Sequence, residues 1–310
     1  MIILVLACII AALAILVLIL SCTKRAKDNA KEEKSVKHAS SFKHASPPNG
    51  LFAAIRKNSA SEVKQAIEKG VDINAHGDDG LSPLMAAVMG NCNNVTELII
   101  NAGANINEKV ADGVTPLMVA ASQANYAAAE LLIQKGADVD ARLIQGETSM
   151  RVAQSHGDLR MMELLLKSGA NVDALDSQAR TALMALAECT NLELVKEMAE
   201  LLLRYGADVE FQSPMGKMTA LLWAAHCNNP TLLGILLSHG ANPNAVNDIN
   251  KGAAIIKAAR HNYCEVVRLL IDAGADVNVK SVAGFSALGW AKHKGHIEVI
   301  EMLEKAGARE

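Results

Sequence analysis

Thr115-Pro116-Leu117-Met118-Val119-Ala120-Ala121, a polar break at Ser122-Gln123-Ala124-Asn125, Leu131-Leu132-Ile133, then Gly136-Ala137-Asp138-Val139: this stretch decides how the chain folds, because the chain keeps rewriting it. The closing phrase returns as Gly103-Ala104-Asn105-Ile106, Gly169-Ala170-Asn171-Val172, Gly206-Ala207-Asp208-Val209, Gly240-Ala241-Asn242-Pro243 and Gly274-Ala275-Asp276-Val277. Gly70-Val71-Asp72-Ile73 and Gly307-Ala308 keep the same beat at the two ends. A period of about 33 residues means a stack of small units, none of which buries its apolar face alone. Stacking therefore dictates the architecture, and the functional expectation moves from chemistry toward binding.

The opening phrase recurs as Ser82-Pro83-Leu84-Met85, Thr148-Ser149-Met150-Arg151, Thr181-Ala182-Leu183-Met184, Thr219-Ala220-Leu221-Leu222, Ala253-Ala254-Ile255-Ile256 and Ser286-Ala287-Leu288-Gly289. Ser or Thr accepts a hydrogen bond from an orphan N–H at a helix start, and Pro at the first helical position gives up a donor that had no partner. Each phrase thus predicts a first helix, whose small side chains let it lie close to its neighbours. After a polar turn comes a second helix carrying an aliphatic cluster, such as Leu98-Ile99-Ile100, Leu164-Leu165-Leu166 or Leu201-Leu202-Leu203. Gly after the cluster is a left-handed helix stop, and the Asp/Asn-rich stretch beyond it turns the chain back. The unit reads as helix, turn, helix, hairpin-like finger.

Taken together these phrases resemble the ankyrin repeat, whose pattern carries Thr-Pro-Leu-His, a pair of alanines, Gly-His and Leu-Leu before Gly-Ala-Asp-Val-Asn. The resemblance runs over residues 49–310 in about eight units. It implies an all-α repeat solenoid of stacked helix-turn-helix units with hairpin-like fingers. There are departures. The family's His is replaced by Met85, Met118, Arg151, Met184, Leu222, Ile256 and Gly289, and the Asp that opens the finger survives as Asp176, with Val110, Leu143, Ser213, Asn247 and Ser281 elsewhere. The fifth unit holds about four extra residues around Cys189-Thr190-Asn191-Leu192-Glu193, expected on a surface loop, and the fingers after the fifth and sixth units are each one residue longer.

The resemblance also implies a non-catalytic scaffold or adaptor that binds a protein partner on a concave face, lined by finger tips and by the exposed side of each first helix. In this sequence those positions are Ile144, Gln145, Glu147, Gln178, Arg180, Met215 and Ile249 on fingers, with Ser155, His156, Glu188, His226, Arg260 and His261 at helix ends. Core positions repeat and these do not. Ile144, Met215 and Ile249 offer apolar contact, and Arg180 and Arg260 forked hydrogen bonds, the residue types that dominate interface energy. Trp223 and Trp290, in phase just before the alanine pair, read as inward-facing core.

Residues Ile2–Leu20 are uninterrupted apolar, followed by Ser21-Cys22-Thr23-Lys24-Arg25. About twenty apolar residues match the bilayer core. Basic residues after the run and none before it predict a single-pass anchor (residues 1–22) with the rest of the chain in the cytoplasm. A second reading stands beside it: Ile19-Leu20-Ser21-Cys22 looks like a bacterial lipobox, which would lipidate Cys22 and export the array. Residues 23–48 lack aliphatic periodicity and read as a disordered tether. Its seven basic and three acidic residues give net +4, leaving −7 of the whole-chain −3 to residues 49–310. A basic tether beside a membrane is drawn to anionic lipid.

Chemistry leaves no phrase of its own. No nucleophile elbow, phosphate loop or His-Glu-x-x-His occurs, so neither catalysis nor a small-molecule substrate nor a cofactor is expected. His293 and His296 lack cysteine or carboxylate partners at ligand spacing. Cys92, Cys189, Cys227 and Cys264 show no paired spacing, as expected of reduced thiols. An acidic array with 3% aromatic residues disfavours nucleic acid. An alternative to the scaffold is a regulatory subunit of a separate membrane transport or signalling protein.

Overall fold

A computed structural model of the protein describes residues 49–249 and 251–309. The apolar run Ile2–Leu20, Cys22 and the tether 23–48 lie outside the described residues. No helix among the described residues is long and apolar enough to cross a membrane. The chain divides into two compact units, the first ending at Ala170 and the second beginning at Asn171.

Among the described residues the first unit carries eight α-helices in pairs: α1 Asn49–Arg56 with α2 Ala60–Glu68, α3 Pro83–Met89 with α4 Asn93–Asn101, α5 Pro116–Ser122 with α6 Tyr126–Gln134, and α7 Ser149–Ser155 with α8 Leu159–Lys167. The second unit repeats the scheme: α9 Ala182–Ala185 with α10 Leu192–Arg204, α11 Ala220–His226 with α12 Pro230–Ser238, α13 Ala254–Arg260 with α14 Cys264–Asp272, and α15 Ala287–Lys294 with α16 Ile297–Lys305. Within each unit every first helix packs on its own second helix and on the next first helix, and α2 stacks on α4, α4 on α6, α10 on α12, α12 on α14 and α14 on α16.

Local chemistry sets the boundaries. Ser82, Thr115, Thr148, Thr181, Thr219 and Ser286 each accept a hydrogen bond from the N–H three residues on, the expected helix starts. Asn125, Asp158, Asn191 and Asn229 cap the second helices in the same way. Ala253 opens α13 without a side-chain cap, so propensity alone does not place that helix. Thr219→Ala is expected to lower stability by about 1 kcal/mol, read as a reduced urea midpoint, because the N–H of Leu222 loses its acceptor in a buried setting.

Alanines let the first helices approach one another, and aliphatics of the second helices fill the space beneath. Ala120, Ala129, Leu132, Met161 and Leu165 in the first unit, and Ala224, Leu202, Leu232, Leu236 and Leu270 in the second, are fully buried. At the helix ends Gly103 and Gly136 both take φ 92°, where an L side chain would be strained.

The fingers are tied in register by side chains that cap the next finger's backbone. Asn74 accepts from the N–H of Asn105 at 2.9 Å and Asn107 from that of Asp138 at 2.8 Å in the first unit. Glu210, Asn244 and Asn278 do the same for Asn242, Asp276 and Arg309 in the second. Each finger closes on itself, for example Leu143 N–H to Glu147 C=O at 2.9 Å, whether or not Asp opens it.

The extra residues of the fifth unit do not make a loop. α9 shortens to four residues and tightens into a 3-10 turn at Leu186–Glu188, while α10 runs for 13 residues where the other second helices have nine. Apolar Val195, Met198, Ala199 and Leu202 keep helical spacing and are buried, so packing rewards the added turn. The longer fingers absorb their extra residue through a left-handed Lys217 (φ 50°) and Lys251 (φ 49°).

Candidate functional site

Two rows of side chains follow from the first-helix register. Counting from the capping residue, the fourth position holds Ala86, Val119, Val152 and Ala185, then Trp223, Lys257 and Trp290; the seventh holds Met89, Ser122, Ser155 and Glu188, then His226, Arg260 and His293. Positions three apart share a helix face. The fourth-position row is made of small side chains in the first unit and of large ones from α11 onward. That change of size, facing the longer fingers, builds a groove in the second unit.

The groove encloses about 1030 Å³. Its floor comes from Leu222 and Trp223 of α11, Ile256 and Lys257 of α13 and Trp290 of α15; its wall comes from finger residues Met215, Met218, Ile249 and Phe285. Met215 is 68% and Ile249 78% exposed, a large apolar offering to solvent. Neither tip hangs loose. The N–H of Asp248 donates to Gly216 C=O at 2.9 Å, and Asp248 pairs with Lys217 at 2.9 Å and Lys251 at 3.2 Å. Those hydrogen bonds hold the Asp248 carboxyl below its usual range. A Cβ on Gly216 would stand 2.8 Å from Ile249 Cδ1, so Gly216 is the seat on which Ile249 rests.

Trp223 and Trp290 are half-buried groove lining, which corrects their reading as core. Trp290 packs on Phe285 with ring centroids 4.7 Å apart, and the Arg260 guanidinium lies 4.5 Å from its centroid. Trp223 Nε1–H is buried without an acceptor among the described residues. The surrounding electrostatics are positive. Burial, then the Arg260 charge, lowers the Lys257 pKa; burial and Lys257 lower that of His226, against an opposing pull from Glu188. The Cys227 thiol beside them is pushed up to about 11 by burial, far from thiolate at neutral pH.

Of the positions expected at the interface, the groove brings together Gln178, Met215, His226, Ile249 and Arg260. His261 is exposed and stacks on Tyr263 with centroids 5.5 Å apart, away from the groove lining. Ile144, Gln145, Glu147, Ser155 and His156 belong to the first unit. Ile144 is 80% exposed, Glu147 is half-buried, and Ser155 Oγ donates to Val152 C=O at 2.8 Å.

Arg180 is a correction. It is 7% exposed, and its guanidinium is consumed inside the protein, Nη2 at 3.1 Å from Asp176 Oδ2 and Nη1 at 2.9 Å from Glu188 Oε1. Asp176 Oδ1 meanwhile accepts the N–H groups of Gln178 and Arg180, at 2.9 and 3.0 Å. Burial opposes the Arg180 charge, but the hydrogen bond to Glu188 and the charges of Asp176 and Glu188 outweigh it and raise its pKa. Arg180 therefore locks its finger to the end of the first helix and is too buried to meet a partner. Glu188, expected at the interface, is exposed but spends its charge on this lock.

His296 Nδ1 lies 2.9 Å from Ala259 C=O, a stitch to the preceding repeat. Among the described residues no three His, Cys, Asp or Glu side chains gather as metal ligands would, and Cys92, Cys189, Cys227 and Cys264 are free.

Among curated proteins nothing matches the chain significantly. The family model described as "Ankyrin repeats (3 copies)" matches residues 51–143, 149–247, 194–281 and 245–309.

Proposed function

Because the chain belongs to the ankyrin-repeat family, we propose that it is a non-catalytic, membrane-tethered scaffold that binds a protein partner in the groove of its second unit. The observation that carries this reading is the groove's composition: Trp223, Trp290, Met215, Ile249 and Phe285 line one continuous surface with Arg260 on its edge. Aromatic and Arg side chains are the anchors that dominate protein interfaces. Met adapts to irregular partners. Of these, Met215, Ile249 and Phe285 are exposed, an apolar cluster of the kind that marks interaction sites.

Support for tethering, with the array on the cytoplasmic side, comes from the Ile2–Leu20 run and the basic residues after it. The protein should resist alkaline carbonate extraction, and its array should resist protease added outside intact cells. Incorporation of labelled fatty acid that vanishes in Cys22→Ser would instead establish the lipidated, exported form.

The binding reading is tested with full-length protein. Met215→Ala and Arg260→Ala should leave helical content and melting unchanged and weaken partner capture, by about 1–3 kcal/mol for a true anchor. Lys196→Ala, on an exposed second-helix position, should capture as wild type. Loss of capture in Lys196→Ala alone would put the binding face on the second helices.

A further inference from the structure

The groove is chemically one-sided. Residues 49–310 carry net −7, with the acidic groups spread over fingers and second helices, yet among the described residues no Asp or Glu lines the groove. Its charged side chains are Lys257 and Arg260, with titratable His226 beside them. Neither Lys257 nor Arg260 has a carboxylate partner among the described residues; Arg260 instead lies against Trp290. Glu188 is already engaged by Arg180 at 2.9 Å, and Asp248 by Lys217 and Lys251. His261 and Lys294, packed nearby, add to the same sign. Two cations and a histidine thus face one apolar cleft, partly dehydrated and repelling one another, with only the already paired Glu188 pulling against them at His226.

We propose that the occupant of this groove is an acidic peptide segment of a partner protein, an apolar side chain seated between Trp223, Met215 and Ile249 and carboxylates meeting Lys257 and Arg260. The inference rests on the reading of the groove as the protein-binding face. A carboxylate there satisfies both cations at once, and Arg260 keeps its stack on Trp290 while its fork is turned to the ligand. The chain's own segment 23–48 is a poor occupant, since its net +4 meets like charge. Electrostatic complementarity of this kind selects partners by sign and weakens with salt.

The test is selection of a random twelve-residue peptide library on the full-length protein in detergent, with Arg260→Glu and Ile249→Asp as counter-selection targets checked for wild-type helical content. Asp and Glu flanking an apolar or aromatic residue should dominate the wild-type pool. A synthetic peptide from that pool should lose about tenfold or more in affinity when its carboxylates become amides, and again against Arg260→Glu. The conservative Arg260→Lys should recover part of that loss, and raising salt should weaken binding. Enrichment of neutral or basic apolar peptides that still need Ile249 would overturn the acidic preference and leave the groove as the binding face. Peptides indifferent to both variants would overturn the preference and the groove together. Tighter groove binding by a single-stranded oligonucleotide, or concentration-dependent self-association through the groove, would name a different occupant and equally overturn the proposal.

Discussion

Arg180→Ala should destabilise the second unit by about 3–5 kcal/mol, the cost of breaking a buried ion pair. The reason is geometric. Asp176 is 3% exposed at its side chain and holds its position by accepting from two backbone N–H groups while Arg180 neutralises it from the other side. Removing the guanidinium strands that carboxylate, releases Glu188 and unpacks the face of Trp223, whose ring centroid lies 5.9 Å from Arg180 Cζ. Arg180→Lys should recover only a part, because one ammonium cannot span Asp176 and Glu188 as the fork does. Urea denaturation followed by circular dichroism measures both. A melting curve for Arg180→Ala that overlays wild type would mean that the finger stands without its lock.

Leu165→Ala is the second large effect, about 2–5 kcal/mol through lost transfer energy and the cavity left behind. Leu165 is fully buried in α8 among Met161, Met162 and the apolar side of α7. In a repeat array each unit is held chiefly by its neighbours, so the loss should be local. Hydrogen exchange should show protection falling in α7 and α8 before α1 and α2. Uniform loss over the whole first unit would instead show that its four helix pairs open as one.

The fold was legible because its signals repeat. Six Ser/Thr caps, the alanine pairs and the Gly stops each recur in phase, and a signal that weak residue by residue becomes strong when it falls on the same beat. Ala253 shows the converse: it has no cap, and only the register of its neighbours places α13. The site was half legible. Exposed Met215, Ile249, Arg260 and His226 follow from being irregular on fingers and at helix ends, but Trp223 and Trp290 were misplaced because large apolar side chains in phase look like core. The discriminating signal lay in the row itself, where Ala86, Val119 and Val152 give way to Trp223, Lys257 and Trp290. A Lys between two tryptophans on one helical row does not fit an interior.

Arg180 was misplaced for a related reason. A finger Arg looks exposed until Asp176, four positions earlier, is taken with it as a pair. The four-residue insertion hid in the same way: Asn191 is a good cap and Val195, Met198, Ala199 and Leu202 keep a helical period, so the sequence already held an extra helical turn.

Docking of the partner in the groove of the second unit can be tested by cross-linking. A photo-activatable residue placed at Ile249 or Met215 of the full-length protein, in cells, reads contact directly. The account predicts a discrete cross-linked protein from both positions, diminished by Arg260→Glu, and none from Lys196 on α10. Cross-linking from Lys196 with none from Ile249 or Met215 would contradict it.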